Sequence, residues 1–205
     1  MKRIVIIGGV AGGMSTATRL RRVMPDARIT VLERGQHASF ANCGLPYYAG
    51  GVITERDALL LQTPEALKER FDLDVRVLHE VTSIDRDAKI VRAVDHGSGA
   101  GVDLAYDELV ISTGASPLRP PIPGLERALS LRDVADVDAM VAALDRQPAS
   151  AVVLGGGFIG IEMAENLRHR GVPVTLVEMA DQVMAPFDPE MAVLVADRLE
   201  ENGVT

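Results

Sequence analysis

Glycines at two places in the chain have the spacing of a nucleotide-binding turn. The more regular turn has the GxGxxG spacing, and an acidic residue follows its last glycine by 18 positions. Such a turn lets the backbone approach a pyrophosphate, and the acidic side chain accepts hydrogen bonds from ribose hydroxyls. No arginine follows that residue to balance a 2′-phosphate, so the turn predicts NADH rather than NADPH. The predicted contacts are Gly155, Gly157, Phe158, Ile159, Gly160 and Glu178.

The earlier turn is less regular, because valine stands in the slot of the second glycine. An acidic residue again follows, 20 positions after the last glycine, which restores the interpretation as a dinucleotide site with its phosphates held slightly differently. For both turns the alternative is a tight glycine turn without a ligand. The predicted contacts of the earlier turn are Gly8, Val10, Ala11, Gly12, Gly13, Glu33 and Arg34.

The only cysteine, Cys43, lies ten residues after Glu33, and the Gly44 and Pro46 that follow it suit a turn that opens a helix. The positive end of a helix favours the thiolate form of a cysteine, which is the nucleophile in thiol chemistry. The alternative is an inert buried cysteine.

The elements that must position these residues repeat in order. Ile4 to Ile7 and Arg28 to Glu33 are predicted strands on either side of a helix that ends near Met24. Ala151 to Leu154 and Val174 to Glu178 are strands on either side of a second helix. The fold class is therefore α/β, with two Rossmann-like units.

Four short runs between the two units, VRVL, VTSI, KIVRAV and ELVIS, predict antiparallel ribbons followed by a last strand that enters the core. Antiparallel ribbons inserted in the first unit favour a flavin, FAD, as the partner of NADH. The proline-rich stretch from Ser116 to Gly124 predicts the boundary between a FAD-binding domain, 1–116, and an NADH-binding domain, 117–205. We expect a helix from Pro189 to Asn202 and a further strand after Gly203, so the second domain looks truncated.

Composition excludes several functions. A net charge of −8 and 3% aromatic residues argue against nucleic acid as a partner. One cysteine excludes an internal disulfide or a cysteine-rich zinc site, and the four histidines lack metal-ligand spacing, so no metal is expected. The absence of a signal sequence or a membrane span predicts a cytoplasmic protein that does not bind membranes.

The segment from Ser39 to Tyr48, SFANCGLPYY, resembles the active-site signature of coenzyme A-disulfide reductases. These belong to the flavin-dependent pyridine nucleotide-disulfide oxidoreductases, in a branch that also contains NADH-dependent persulfide reductases, NADH oxidases and NADH peroxidases. Thr113 and Gly114, with the proline-rich stretch after them, resemble the family's segment between flavin and nicotinamide domains. The resemblance covers all 205 residues but only about the first half of a family member.

The resemblance implies that NADH reduces FAD, and that the flavin passes two electrons to a mixed disulfide or persulfide at Cys43. It also implies a homodimer for the full-length protein, and cofactor contacts from Thr113 and Gly114. On the predicted first helix, three polar residues share the face opposite Gly13 and Ala17, and the resemblance assigns that face to coenzyme A. The implied substrate contacts are Ser15, Arg19, Arg22, Ser39 and Asn42.

Two alternatives stay open. An NADH oxidase or peroxidase would cycle Cys43 through a sulfenic acid, although such members commonly have Ser-Cys where this chain has Asn42-Cys43. A short nucleotide-binding or redox-sensing module would not turn over at all. Because the second flavin-binding segment is absent, we expect the 205-residue chain alone to bind FAD weakly, to be inactive, and to self-associate.

Overall fold

The computed structural model of the protein describes all residues from Met1 to Thr205. The nine strands are β1 (Arg3–Ile7), β2 (Arg28–Leu32), β3 (Asp74–Arg76), β4 (His79–Asp85), β5 (Ile90–Asp95), β6 (Gly101–Ala105), β7 (Glu108–Ile111), β8 (Ala151–Leu154) and β9 (Val174–Val177). The six α-helices are α1 (Ala11–Val23), α2 (Leu45–Ala49), α3 (Pro64–Phe71), α4 (Val134–Leu144), α5 (Phe158–His169) and α6 (Pro189–Glu201). None of these helices is long and apolar enough to cross a membrane.

Two units divide the chain, and each is built from two stretches of sequence. Unit 1 consists of Met1–Ala41 and Leu60–Ser116, and unit 2 consists of Asn42–Leu59 and Pro117–Thr205. The segment with Cys43 therefore folds with unit 2, although it precedes the proline-rich stretch. The binding roles assigned to residues 1–116 and 117–205 remain predictions.

Unit 1 is built on a parallel sheet in the order β3-β2-β1-β7. One face of this sheet presents Ile6, Ile29 and Val31 to a buried cluster that includes Met14 and Ala17 of α1. The predicted strand–glycine turn–helix–strand arrangement is confirmed, since β1 and β2 pair in parallel on either side of α1.

The opposite face of the parallel sheet carries an antiparallel sheet in the order β4-β5-β6. Val5, Ile7 and Leu32 of the parallel sheet share a buried cluster with Val91 and Ala93 of β5. The predicted antiparallel insertion is confirmed, and it consists of three strands between β3 and β7.

One predicted strand pairs differently. The VRVL run was expected in an antiparallel ribbon, but this expectation is wrong: β3 pairs in parallel with β2, with Val75 opposite Val31. A β-branched run favours a strand without encoding its direction, and here packing on the core of unit 1 sets the pairing. The sequence analysis also missed β6, whose GVDLA sequence combines weak strand formers with only two large apolar residues.

Unit 2 contains the second parallel pair, β8 and β9, joined by α5. The predicted helix before Gly203 is α6, and Val204 then forms a parallel bridge with Val174 of β9, where the sequence predicted a further strand. Helix α2 packs against α4 and α5. The two-stranded sheet leaves Val152 and Leu154 exposed.

Candidate active site

The earlier glycine turn is fixed by the packing of unit 1. Gly8 has a φ of +103°, and a Cβ atom there would lie 2.0 Å from the carbonyl oxygen of Ser112, at the end of β7. A Cβ atom on Gly13 would lie 1.8 Å from the carbonyl oxygen of Gly8. Strand, turn and helix therefore approach one another at a distance that glycine permits without a backbone shift.

The later turn has the same geometry in unit 2. Gly155 has a φ of +105°, and a Cβ atom on Gly160 would lie 1.9 Å from the carbonyl oxygen of Gly155. The two turns differ at the middle slot. A Cβ atom on Gly157 would meet nothing within 4 Å, so the chain's own packing does not require glycine there. This open space fits the close approach of a pyrophosphate.

Both helices that follow the turns begin without a capping side chain or an acidic residue in the first turn. The first helical backbone bonds are donated by the N–H of Met14 to Val10 and by the N–H of Ile161 to Gly157. The preceding N–H groups in each helix, those of residues 11–13 and 158–160, are suited to bind a phosphate.

The two predicted ribose-binding glutamates are held by backbone amides. Glu33 accepts a hydrogen bond from the N–H of Gly9 at 2.7 Å and another from the N–H of Gly35 at 2.7 Å. Glu178 accepts from the N–H of Ala180 at 2.8 Å and from the N–H of Gly156 at 2.6 Å. One amide binds each oxygen, so further lone pairs remain for ribose hydroxyls.

The amide bonds also affect ionisation and set the environment for the nucleotide. The backbone N–H groups of Ala180 and Gly156 hold the pKa of Glu178 below its usual value, so its carboxylate is ionised at neutral pH. Met179, which follows it, is fully exposed, and no cationic side chain stands next to Glu178 in sequence. The geometry suits a ribose with free hydroxyls and provides no adjacent cation for a 2′-phosphate.

Cys43 lies in a short 3₁₀ turn, Asn42–Gly44, directly before α2. Its side chain is exposed, which excludes the alternative of an inert buried cysteine. Pro46 occupies the first turn of α2, as the sequence predicted. The thiol is therefore accessible to solvent.

The polar face of α1 is exposed, as predicted. Ser15, Arg19 and Arg22 are solvent-accessible, whereas Ala17 is buried. The guanidinium of Arg21, between them in sequence, is saturated by backbone carbonyls such as that of Phe71. Arg19 and Arg22 have no hydrogen-bond or ion-pair partner in the protein, so their charges are available to an anion.

The other predicted contacts have less defined surroundings. Ser39 has a φ of +52°, and its N–H donates to the carbonyl of Gly9 at 2.9 Å. Asn42, Arg34, Thr113 and Gly114 are exposed. No cluster of three or more His, Cys, Asp or Glu side chains that could hold a metal ion is present.

Sequence reasoning missed the role of Ser112 and of Gly50. The carbonyl of Ser112 limits Gly8, and Gly50 lies against Asn166 of α5, where a Cβ atom would be 2.2 Å from Oδ1. In the sequence, Gly50 looks like an ordinary turn residue, because its contact partner is more than a hundred residues away. The only sequence signal for this contact is Asn166 itself, an amide side chain in an otherwise helix-like stretch, and its burial is evident only in the structure.

The chain resembles known proteins in both sequence and structure. The family model for pyridine nucleotide-disulphide oxidoreductases matches residues 2–205. A coenzyme A disulfide reductase of Staphylococcus haemolyticus is 35% identical over 205 residues, which are 100% of this chain and 46% of that protein. An NADH oxidase of Methanocaldococcus jannaschii is 37% identical over 208 residues, covering 98% of this chain and 46% of that protein.

Among solved structures, that of reduced CoADR-RHD from Bacillus anthracis has a TM-score of 0.95 and 51% identity, and the match covers 99% of this chain and 37% of that chain. The chain spans about half the length of the curated relatives it matches. With a family match along almost its whole length, beside two equivalent glycine turns and an exposed cysteine, the chain belongs to the pyridine nucleotide-disulphide oxidoreductase family.

Proposed function

We propose that a protein of the relatives' length that contains this chain, called the full-length protein below, uses NADH and FAD to reduce coenzyme A disulfide or a coenzyme A persulfide. The observation that carries this proposal is the exposed Cys43 in the turn before α2, in a chain with no second cysteine. One cysteine suffices for such a reaction, because the second sulfur belongs to the substrate.

The two glycine turns divide the cofactors between them. The turn at Gly8 to Gly13, with Glu33, would hold FAD, and the turn at Gly155 to Gly160, with Glu178, would hold NADH. The uncapped N-termini of α1 and α5 support this assignment, since each supplies free N–H groups to a pyrophosphate. FAD, when bound, supplies the two electrons that it takes from NADH.

Cys43 performs the thiol step. Its thiolate attacks one sulfur of coenzyme A disulfide, the substrate S–S bond breaks, and one coenzyme A thiol leaves, so that a mixed disulfide remains on Cys43. Two electrons and a proton then cleave the mixed disulfide, which releases the second coenzyme A and restores the Cys43 thiolate.

Coenzyme A carries phosphates, and the chain offers exposed cations without internal partners to receive them. Arg19 and Arg22 are the unpaired arginines on α1, and Ser15 on the same face can donate a hydroxyl hydrogen bond. Ser39 and Asn42 complete the proposed substrate contacts. The full-length protein is further proposed to be a homodimer.

The test is Cys43→Ser in the full-length protein. We expect flavin reduction by NADH to proceed at the wild-type rate, while turnover of coenzyme A disulfide is lost, because hydride transfer precedes the thiol chemistry. Stopped-flow absorbance at the flavin bands measures the first step, and release of coenzyme A thiol measures the second. Equal loss of both steps would contradict the role given to Cys43.

An NADH oxidase is the second candidate, because the Methanocaldococcus jannaschii relative has that name. The two functions predict different adducts on the cysteine. Intact mass of the wild-type protein should show a coenzyme A increment on Cys43 for the reductase, whereas a sulfenic acid and oxygen consumption without disulfide turnover would favour the oxidase.

A further inference from the structure

The C-terminal end of α5 binds the C-terminal end of α2, the helix that follows Cys43. His169 and Arg170 close α5, and both contact backbone carbonyls at the end of α2. The Nδ1 of His169 lies 3.1 Å from the carbonyl oxygen of Gly50, and the guanidinium of Arg170 donates to the carbonyl of Ala49 at 3.2 Å. Because a carbonyl only accepts, the imidazole carries its proton on Nδ1 in this contact.

Asn166, one turn earlier on α5, brings the two helices together. Its side chain is buried, with 2% of its surface exposed, and its Nδ2 donates to the carbonyl of Glu162 at 2.8 Å. A Cβ atom on Gly50 would lie 2.2 Å from Oδ1 of Asn166 and 2.7 Å from its Cβ. Gly50 has an ordinary helical φ of −74°, so contact with α5, and not backbone conformation, requires glycine at this position.

Two ion pairs extend this connection to α4. Arg170 also donates to Oδ1 of Asp145, the C-cap of α4, at 2.9 Å. Arg56, in the turn that ends the Cys43 segment, donates from Nε and Nη2 to the carboxylate of Asp138 on α4, the closest contact at 2.7 Å. The stretch Asn42–Leu59 is therefore attached to α5 near its middle, at Ala49 and Gly50, and to α4 near its end, at Arg56.

A five-residue helix does not hold itself in place. Nucleation makes so short a helix unstable alone, and its last carbonyls have no partners within the helix. In α2 the carbonyls of residues 46–48 accept from backbone N–H groups of residues 50–53, and the carbonyls of Ala49 and Gly50 are bound by the side chains that close α5. Cys43 itself is exposed, so the position of its thiol depends on the anchoring of α2, to which the burial of Leu45, Pro46 and Ala49 and the bonds from α5 both contribute.

We infer that His169 and Arg170 are positioning residues for Cys43, acting through the carbonyls of Gly50 and Ala49. This inference rests on the proposed function, because it concerns the thiol step. It also means that α5 serves two roles: its N-terminus lies at the proposed NADH turn, and its C-terminus holds the helix of the redox cysteine.

The experiment uses the purified full-length protein, with the adduct on Cys43 identified by peptide mass. Coenzyme A disulfide is the specific probe, glutathione disulfide is the comparison disulfide, and iodoacetamide reports general reactivity of the thiol. The variants are His169→Leu and Arg170→Met, with His169→Asn and Arg170→Lys as conservative replacements that retain a donor. Arg198→Met is the matched control, since Arg198 is an exposed arginine of α6 whose ion-pair partner is Glu201.

We expect His169→Leu and Arg170→Met to lower the maximal rate of mixed-disulfide formation by about 10- to 100-fold, as for a reacting group displaced by about 1 Å. The half-saturating concentration of coenzyme A disulfide and the rate with iodoacetamide should stay within about twofold of wild type, because substrate binding and thiol exposure are unchanged. The conservative variants and Arg198→Met should react like wild type. Hydrogen exchange of residues 44–51 checks that α2 is released.

Wild-type maximal rates in His169→Leu and Arg170→Met, with faster exchange in α2, would overturn the inference while leaving the proposed function intact. An equal loss with iodoacetamide would also overturn it, because it would show general damage to the thiol. If the wild-type full-length protein did not prefer coenzyme A disulfide over glutathione disulfide, the proposed function would fail, and the inference would fail with it.

Discussion

Replacement of Gly157 by alanine should separate ligand binding from folding. Gly157 has φ −83° and ψ −175°, which alanine adopts without strain, and the added methyl group meets no atom within 4 Å. Alanine restricts the unfolded chain, which stabilises by ~0.4–1 kcal/mol. It is also a poorer N-cap than glycine, which offsets a similar amount. The free energy of unfolding should therefore change by less than about 1 kcal/mol.

Binding should respond differently. If the pyrophosphate of NADH lies against this backbone, the methyl group overpacks the site at a cost of about 1–3 kcal/mol. The Kd for NADH then rises by a factor of about 5 to about 150. Gly155→Ala is the matched control, because it adds the same methyl group in equally open space but at a φ of +105°. The strained backbone should destabilise that variant by about 1–3 kcal/mol.

Thermal unfolding and an NADH fluorescence titration of the 205-residue chain measure the two quantities. The expected pattern is a Gly157→Ala protein with near-wild-type stability and weakened NADH binding, beside a Gly155→Ala protein with lowered stability. A Gly157→Ala protein that binds NADH as tightly as wild type would refute the assignment of the open space to the pyrophosphate.

Two further substitutions have defined outcomes. Glu178→Ala should weaken NADH binding by about tenfold or more in the same titration, without improving NADPH binding, because hydrogen bonds to a charged group are lost. Backbone amides lower the folded-state pKa of Glu178, so its carboxylate stabilises the fold above about pH 4.5. This contribution is lost as the pH falls through the lower folded-state pKa. The acid unfolding of Glu178→Gln should therefore depend less on pH in this range. Gly50→Ala should destabilise the chain by about 1–3 kcal/mol in urea unfolding, because the added Cβ atom collides with Asn166. Gly101→Ala is the control: its added Cβ atom meets no other atom within 4 Å, so its free energy of unfolding should stay near that of wild type. A neutral Gly50→Ala would show that α2 and α5 separate easily.

The sequence was sufficient for the parts of the fold that depend on local pattern. Both strand–turn–helix–strand arrangements follow from apolar runs next to glycine turns, and the strand and helix boundaries agree within a few residues. The amphipathic pattern of α1 correctly separated the exposed Arg19 and Arg22 from the buried Ala17. These features depend on residues close in sequence, so short-range spacing encodes them.

Features that depend on distant contacts could not be predicted. The direction of β3 depends on the pairing of Val75 with Val31, which a short apolar run does not specify. The membership of Asn42–Leu59 in unit 2 depends on the fit of Gly50 against Asn166, residues separated by more than a hundred positions. Likewise, the bonds from the N–H of Gly9 to Glu33 and from the N–H of Gly156 to Glu178 could not be predicted, because they form only after the strands pair.

The excursion of Asn42–Leu59 into unit 2 limits how this protein can be recombined with its relatives. The excursion leaves unit 1 after Ala41 and returns at Leu60, where Phe40 and Leu60 form an antiparallel bridge. A chimera joined once, near Ser116, would therefore pair the host's α2 with a donor's α4 and α5, across an interface that leaves no room for a side chain at Gly50. To exchange unit 2 between relatives, both of its segments, Asn42–Leu59 and Pro117–Thr205, must be transferred together. Substitutions at Gly50 and at Asn166 should therefore be correlated among relatives.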